Sequence, residues 1–474
     1  EYRLTNPPKP PATVEVMDGE NRKHTLQVQV LGAEETWHTP SLLLASVGSS
    51  GGKVVFSQIR TLDPTEDVKQ YGSTLNRNKI CDIAFYQKVH LEVDPGQYES
   101  EETKFQALQK SDKARLEILQ DLLSSHLGLS VAEKQGPLPA YTPGYFLGRH
   151  ELKLDFLSAL QPRLKADNIL KLNLLSLQFC GKGVEPSKPT ASLMPVFLHA
   201  CPQRFSTVEY FENLHSEHIG RLLIFSEVMT SSMEGLDGAV LHHGLAVVAC
   251  QQISGAGRSG NAWLSPEGCG MFSLQLHIRS DSYLGHHVPF LQHVVSLAVV
   301  LAICSQAGHE DVDLHLKWPN DIYVGDCIKV GGLVVKTIVD NTMTVCNIGV
   351  GMNLDNNVPT TCINALLREL KLAPLSLEKF LALVFTKLEK LLVTLEKGSS
   401  GVDQVRQLYY KYWLHSNCEV TVIGPQGSKQ EVTILGIDDF GFLQVLAKDG
   451  CAFSVHPDGN SFDMLRGLIA PKVK

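Results

Sequence analysis

Three short runs in the middle of the chain carry residue types suited to handling an anion. In the first, Gly255, Ala256, Gly257, Arg258, Ser259 and Gly260 are followed by Asn261 and Trp263. Closely spaced glycines let a backbone turn and bring its N–H groups near a ligand, and a guanidinium offers a fork of donors to a phosphate or carboxylate. The third glycine falls one position early for the dinucleotide fingerprint G-x-G-x-x-G, and no G-K-[ST] closes the run as a phosphate-binding P-loop would. Taken alone, the run reads equally well as a mobile loop. The second run, Lys317, Trp318, Pro319, Asn320 and Asp321, sets a cation, an amide and a carboxylate around a proline. Proline interrupts sheet pairing, so these polar groups stand at a strand junction, where sites are commonly built. An Asx-turn that merely stabilises the bend is the plainer reading of Asn320 and Asp321. The third run, Lys329, Val330, Gly331 and Gly332, puts an ammonium beside two positions without side chains, and Gly349, Val350, Gly351, Met352 and Asn353 follow further on. A lone strand-end lysine is usually only solvated.

The elements between these runs must position them. Apolar strands at 244–251 and 271–278 bracket the glycine run, and shorter strands flank the proline run and follow Lys329. Leu377–Leu395 reads as an amphipathic helix, with Phe380, Leu381, Val384, Phe385, Leu388, Leu391 and Leu392 on one stripe, Ser376 as its N-cap and Glu378 in its first turn. A second helix near 405–413 carries Val405, Leu408, Tyr409, Tyr412 and Trp413 as a core stripe. Beyond Ser416, strands at 420–423, 432–437, 442–446 and 453–455, separated by glycine turns, predict a small antiparallel β-barrel. Residues 1 to about 180 mix alternating strands such as 24–31 with helical stretches such as 101–127, an α/β pattern, and 181–195 reads as a linker. The expected layout is α+β overall: an N-terminal α/β extension over 1–200, a domain carrying the three runs over 211–400, and a helix with the small barrel over 401–474.

Composition narrows the classes. With 474 residues the chain exceeds a single core, and 43% hydrophobic against 19% charged residues is an ordinary globular balance. A net charge of −8 without clustered Lys and Arg argues against direct nucleic-acid binding. The 11 cysteines are scattered and never spaced C-x-x-C, which favours free thiols in a reducing compartment. The histidine pairs at 242–243 and 286–287 lack the spacing of metal ligands on one helix face, so no metal site is expected. The longest apolar run, 294–304, is too short to span a bilayer and reads as a buried helix, so no membrane partner is expected. The first residue is Glu1, which reads as an internal position of a longer product, with any targeting segment upstream.

The order of the runs carries a resemblance. G-x-G-R-x-G with Trp263, Leu264 and Ser265 after it, then KWPND at 317–321, the lysine-glycine segment at 329–332 and G-x-G-x-N at 349–353 are similar to the biotin protein ligases, in particular their large animal form. The resemblance covers 211–474 and implies a central mixed-sheet ligase domain of the biotin/lipoate ligase type. It implies that Thr230, Ser231 and Ser232 hydrogen-bond the ureido ring of biotin, and that Gln252 and the loop Gly255, Ala256, Gly257, Arg258 close over biotin and the phosphates. This chain has T-S-S where bacterial relatives have S-T-N, and Ala256 where they often have Arg. Trp263 would cover the adenine of ATP, with Lys317, Asn320, Asp321, Gly332 and Asn353 around the nucleotide. Lys329 would bind the reacting carboxylate and α-phosphate.

The implied chemistry is activation: biotin's carboxylate attacks the α-phosphorus of ATP, and an acceptor lysine then displaces AMP. Arg258, Lys329 and a Mg2+ ion carried by the nucleotide would stabilise the phosphate charge, and Asp321 would orient or deprotonate the lysine. The implied partners are the biotin-acceptor domains of carboxylases, with a homodimer left open, and the implied location is cytoplasm and mitochondrion, with the nucleus open. Lipoate ligases or octanoyl transferases share the fold type. A biotin-binding regulator without catalysis is the reading from a different class.

Overall fold

The structure, a computed structural model, describes residues 139–471 apart from 259–260, 340–341, 357–359, 425–427, 458–459 and 465–466, and before them the strands within 2–57 and residues 120–121 and 124–125. The chain divides into two compact units, Glu1–Pro137 and Leu138–Lys474. In the first, Lys23–Glu34 pairs antiparallel with Tyr2–Leu4, Ala12–Met17 and Pro40–Val47, and Pro40–Val47 with Gly52–Ser57. Leu31, Leu42 and Leu44 form its buried cluster. The strand expected at 24–31 is present within Lys23–Glu34. The helix expected at 101–127 lies outside the described residues except at 120–121 and 124–125.

The second unit is built on an 11-stranded mixed sheet. From one edge it runs Leu314–Lys317, Asp321–Val324, Ile328–Val339, Met343–Asn353, Cys269–Arg279, Ala246–Gln252 and Leu222–Met229. It continues through Gly144–Gly148, Leu193–Phe197, Ser176–Cys180 and Ile169–Lys171. Three neighbouring pairs are parallel, Leu222–Met229 with Ala246–Gln252 and Leu193–Phe197 with each of its neighbours. This corrects the expected boundary near residue 200. The strands at 144–197 are members of the same sheet as the strands after 220, and 181–192 is a crossover within that sheet, so the segment expected to be a linker joins no two domains.

At its centre this sheet is covered on both faces, which explains why strands such as Ala246–Gln252 and Cys269–Arg279 read as apolar runs. Along Leu222–Met229, Leu223 and Phe225 belong to one core cluster and Leu222 and Ile224 to the other, the alternation that a period of two imposes. The first cluster is roofed by Leu291–Cys304, buried along almost its whole length as the run at 294–304 predicted, and by Leu377–Leu395. The latter buries the expected stripe, and the Ser376 hydroxyl accepts from Lys379 N at 3.1 Å, so the N-cap stands where the sequence put it.

Among its described residues the C-terminal part holds six strands rather than three or four. To those expected are added Asn460–Asp463 and Leu468–Pro471, the latter parallel to Glu419–Ile423. Among the described residues no ladder joins the two edge strands, Ala452–Val455 and Asn460–Asp463. Val432, Ile434, Leu443 and Val445 of this sheet share the first core cluster with Leu291–Cys304. The expected separate domain over 401–474 is therefore fused to the main core through its own apolar face.

Candidate active site

The glycine run is a narrow hairpin rather than an irregular loop. Gln252 bridges Ser265 and Ala256 bridges Ala262, while Gly257 N donates to Asn261 O at 2.7 Å and Trp263 N to Gly255 O at 2.8 Å. Its Ser259 and Gly260 lie outside the described residues. The returning strand lays the Trp263 indole on the main sheet at Gly351. A Cβ there would stand 2.6 Å from Trp263 Nε1, so only glycine permits the contact. Gly349, two residues earlier on the same face, makes room in the same way for Met233.

The proline run is a tight hairpin whose register pairs Lys317 with Asp321. Both side chains therefore stand on one side of the turn, and Asp321 Oδ2 lies 3.9 Å from Lys317 Nζ. Across the next ladder Asp321 faces Gly332, which leaves space for Lys329 to bring Nζ to 2.7 Å from Asp321 Oδ1. One carboxylate thus sits between two ammonium groups, and Lys329 Nζ also lies 5.5 Å from the centre of the Trp263 ring. Asn320 is buried, donates through Nδ2 to Leu333 O at 2.6 Å and accepts from Arg258 Nη1 at 2.9 Å. The other arm of Arg258 donates from Nη2 to Pro457 O at 3.0 Å, so the glycine hairpin is tied both to the proline hairpin and to the C-terminal part.

A second group is polar but uncharged. Ser232 Oγ and Ser273 Oγ share a hydrogen bond of 2.8 Å, and Gln252 Oε1 accepts from Ser232 N at 2.6 Å while its Nε2 donates to Ser265 Oγ at 3.2 Å. Both groups open into one cavity of about 480 Å³. Ser231, Ser232, Gln252, Ala256, Gly257, Arg258, Trp263, Lys317, Asn320, Asp321, Lys329 and Gly332 all line it. Thr230, Gly255 and Asn353 do not. The Thr230 hydroxyl donates to Glu234, Gly255 supports Trp263 from behind, and Asn353 turns its amide to Thr360 Oγ1 at 2.9 Å.

Several lining residues escaped the sequence reading. Ser273 lies in an apolar strand, where its one signal is a hydroxyl amid hydrophobic neighbours. Asn460 and Phe462 come from a strand that was not expected at all, and Trp318 appeared only as part of a motif. A larger cavity, about 780 Å³, shares Ser231, Met233, Ala256, Gly257, Arg258 and Val334 with the first and adds Glu234, Asp237 and Lys336. Burial holds the Glu234 carboxyl above its ordinary range, opposed by the Thr230 hydrogen bond and Lys336. Lys336 Nζ lies 3.2 Å from Asp237 Oδ2.

The pattern of the Biotin/lipoate A/B protein ligase family matches residues 225–353, and that of the Biotin protein ligase C terminal domain matches 415–467. The chain is 39% identical to a human biotin–protein ligase over 81% of its own length and spans about half, 54%, of that relative. It is 32% identical to biotin–protein ligase 2 of Arabidopsis thaliana over 66% of its length, covering 93% of the relative. The solved biotin protein ligase from Aquifex aeolicus in complex with biotin and ATP is 23% identical, with a TM-score of 0.39 over 49% of this chain and 94% of that one. The chain belongs to the biotin protein ligase family.

Proposed function

We propose that the cavity joins biotin to ATP, giving biotinyl-AMP and pyrophosphate, and then passes the biotinyl group to a lysine of a carboxylase acceptor domain. A carboxylate does not acylate an amine at neutral pH, because it would have to expel oxide; adenylation supplies AMP as the leaving group. The first step gathers charge on the α-phosphate, and Lys329 and Arg258, which both line the cavity, would share it. In the second step the acceptor ammonium must lose a proton, and Asp321 is the carboxylate lining the cavity beside both lysines. The hydroxyl and amide group of Ser231, Ser232, Ser273 and Gln252 suits a neutral ring of donors and acceptors such as a urea.

The observation that carries this reading is the single cavity in which an uncharged polar end and a cationic end adjoin. A Mg2+ ion would arrive on the triphosphate, whose oxygens and waters furnish most of its shell. Among the described residues no group of three or more His, Cys, Asp or Glu is placed to hold a metal alone, and Asp321 is the carboxylate lining the cavity that would contribute an oxygen to a nucleotide-borne ion. Biotin-dependent exchange of labelled pyrophosphate into ATP tests the first step. Exchange that needs biotin and is unaffected by lipoate supports the reading; exchange with lipoate instead, or none with either, overturns it.

A further inference from the structure

Trp318 does not face a ligand alone; it is clamped from behind. It is 1% exposed, and its two N–H groups are both spoken for by residues distant in sequence. Its backbone N donates to His415 Nε2 at 3.0 Å, and its indole Nε1 donates to Gly441 O at 2.9 Å. The same Gly441 carbonyl accepts from His293 Nε2 at 2.9 Å, and His293 Nδ1 meets the Tyr409 hydroxyl at 3.0 Å. His293 lies in the mostly apolar helix Leu291–Cys304, 1% exposed, and His415 is equally buried.

Two polar side chains held in such surroundings need complete hydrogen bonding, and the geometry fixes their roles. Burial holds His293 down at about 4 and His415 at about 3, the latter helped by Lys317, so both rings are neutral at physiological pH. A neutral ring has one donor and one acceptor nitrogen. His415 Nε2 must then be the acceptor for Trp318 N, and His293 Nε2 the donor to Gly441, with Nδ1 accepting from Tyr409. The backbone tells the same story. Trp413 bridges Leu316, Leu414 N donates to Leu316 O at 3.1 Å, and one step on the His415 side chain takes the place of the next backbone acceptor.

We propose that His415 and His293 are positioning residues for the nucleotide end of the site: through Trp318 they fix the hairpin that presents Lys317, Asn320 and Asp321. Neither histidine lines the cavity. The uncharged end is held by other elements, the Ser231–Ser232 turn, Gln252 and Ser273, so the clamp acts on one substrate and not the other. This inference rests on the function proposed above. Biotin-dependent pyrophosphate exchange by the unaltered chain tests that reading, and the variants below test the clamp.

His415→Phe keeps an aromatic ring against Trp413 and Phe462 but leaves the buried Trp318 N–H without an acceptor. The KM for ATP should rise roughly tenfold, the scale of one unsatisfied buried hydrogen bond, while the KM for biotin stays within about twofold. His415→Gln, which returns an acceptor oxygen near the Nε2 position, should recover most of the lost ATP affinity. A histidine needed only for folding predicts a different pattern: a smaller active fraction, hence a lower apparent kcat, with both KM values unchanged. Should His415→Phe prove insoluble, Tyr409→Phe, which deletes one hydroxyl from the same chain, should give a smaller rise in the same KM. Unchanged KM for ATP in a soluble Phe variant, parallel changes in both KM values, or a Gln variant as impaired as Phe would each overturn the proposal.

Discussion

The two ends of the cavity solve different problems with different side chains. At one end Ser232, Ser273 and Gln252 satisfy one another through neutral hydrogen bonds of 2.6–2.8 Å. At the other, Arg258, Lys317 and Lys329 crowd around Asn320 and Asp321. A neutral network loses little by waiting for a ligand, because its members can exchange one neutral partner for another. A cluster of three cations would repel itself if left alone, and Asp321 offsets that repulsion before a phosphate does. On the function proposed above, the contrast means that selection of the acid and stabilisation of charge are divided between separate parts of the fold. The neutral end draws on two inner strands of the central sheet and the turn at Ser231–Ser232, whereas the charged end draws on the three strands at one edge of that sheet, tied through Arg258 to the glycine hairpin and the C-terminal part.

That division can be attacked from the charged end first. Lys329→Gln should slow biotinyl-AMP formation about 10²- to 10³-fold, the effect of removing one donor aimed at developing charge; pyrophosphate release at the wild-type rate would remove Lys329 from the chemistry. Asp321→Asn should slow transfer from preformed biotinyl-AMP to an acceptor by about 10²-fold at neutral pH. An unchanged single-turnover transfer rate would show that the acceptor lysine loses its proton elsewhere. At the neutral end the expected effect is smaller and opposite in kind. Ser273→Val leaves Ser232 without its partner and should weaken biotin roughly tenfold, with the KM for ATP unaffected; a shift in the ATP constant instead would erase the distinction between the ends.

The smallest effect is on stability. The Glu234 carboxyl, next to the neutral end, has its pKa raised by burial from the ordinary 4.5. A raised acid binds more protons folded than unfolded, so its contribution falls as pH climbs through the window between the two pKa values. Glu234→Gln should therefore raise the melting temperature at pH 7.5 by a few degrees at most and make no difference below about pH 4.5. Equal shifts at both pH values would mean that packing, not charge, is responsible.

The Lys317–Asp321 part of the charged end was legible because its residues are neighbours in sequence. KWPND is a hairpin in which residues four apart face each other, and no distant contact is needed to bring Lys317 to Asp321. The helix Leu377–Leu395 was legible for the same reason, since period and cap are local. The rest depended on pairing between distant segments. Nothing in 181–195 tells a crossover inside one sheet from a linker between two domains, because both are written in Gly, Pro and Ser. Ser273 is hidden by the strand around it, and Asn460 and Phe462 gain meaning only once the last strands have folded back onto the cavity. The glycine run looked like a free loop because the Ala256–Ala262 and Gln252–Ser265 bridges that flatten it cannot be inferred from glycine content.

Arg258 reaches across to the carbonyl of Pro457, and Phe462 closes a wall a few residues later. A nonsense change between these motifs and residue 457 would spare every recognisable signature, from the glycine run to G-x-G-x-N, and still deprive the reaction chamber of one side. In this chain, damage far downstream of the last motif is damage to the candidate site.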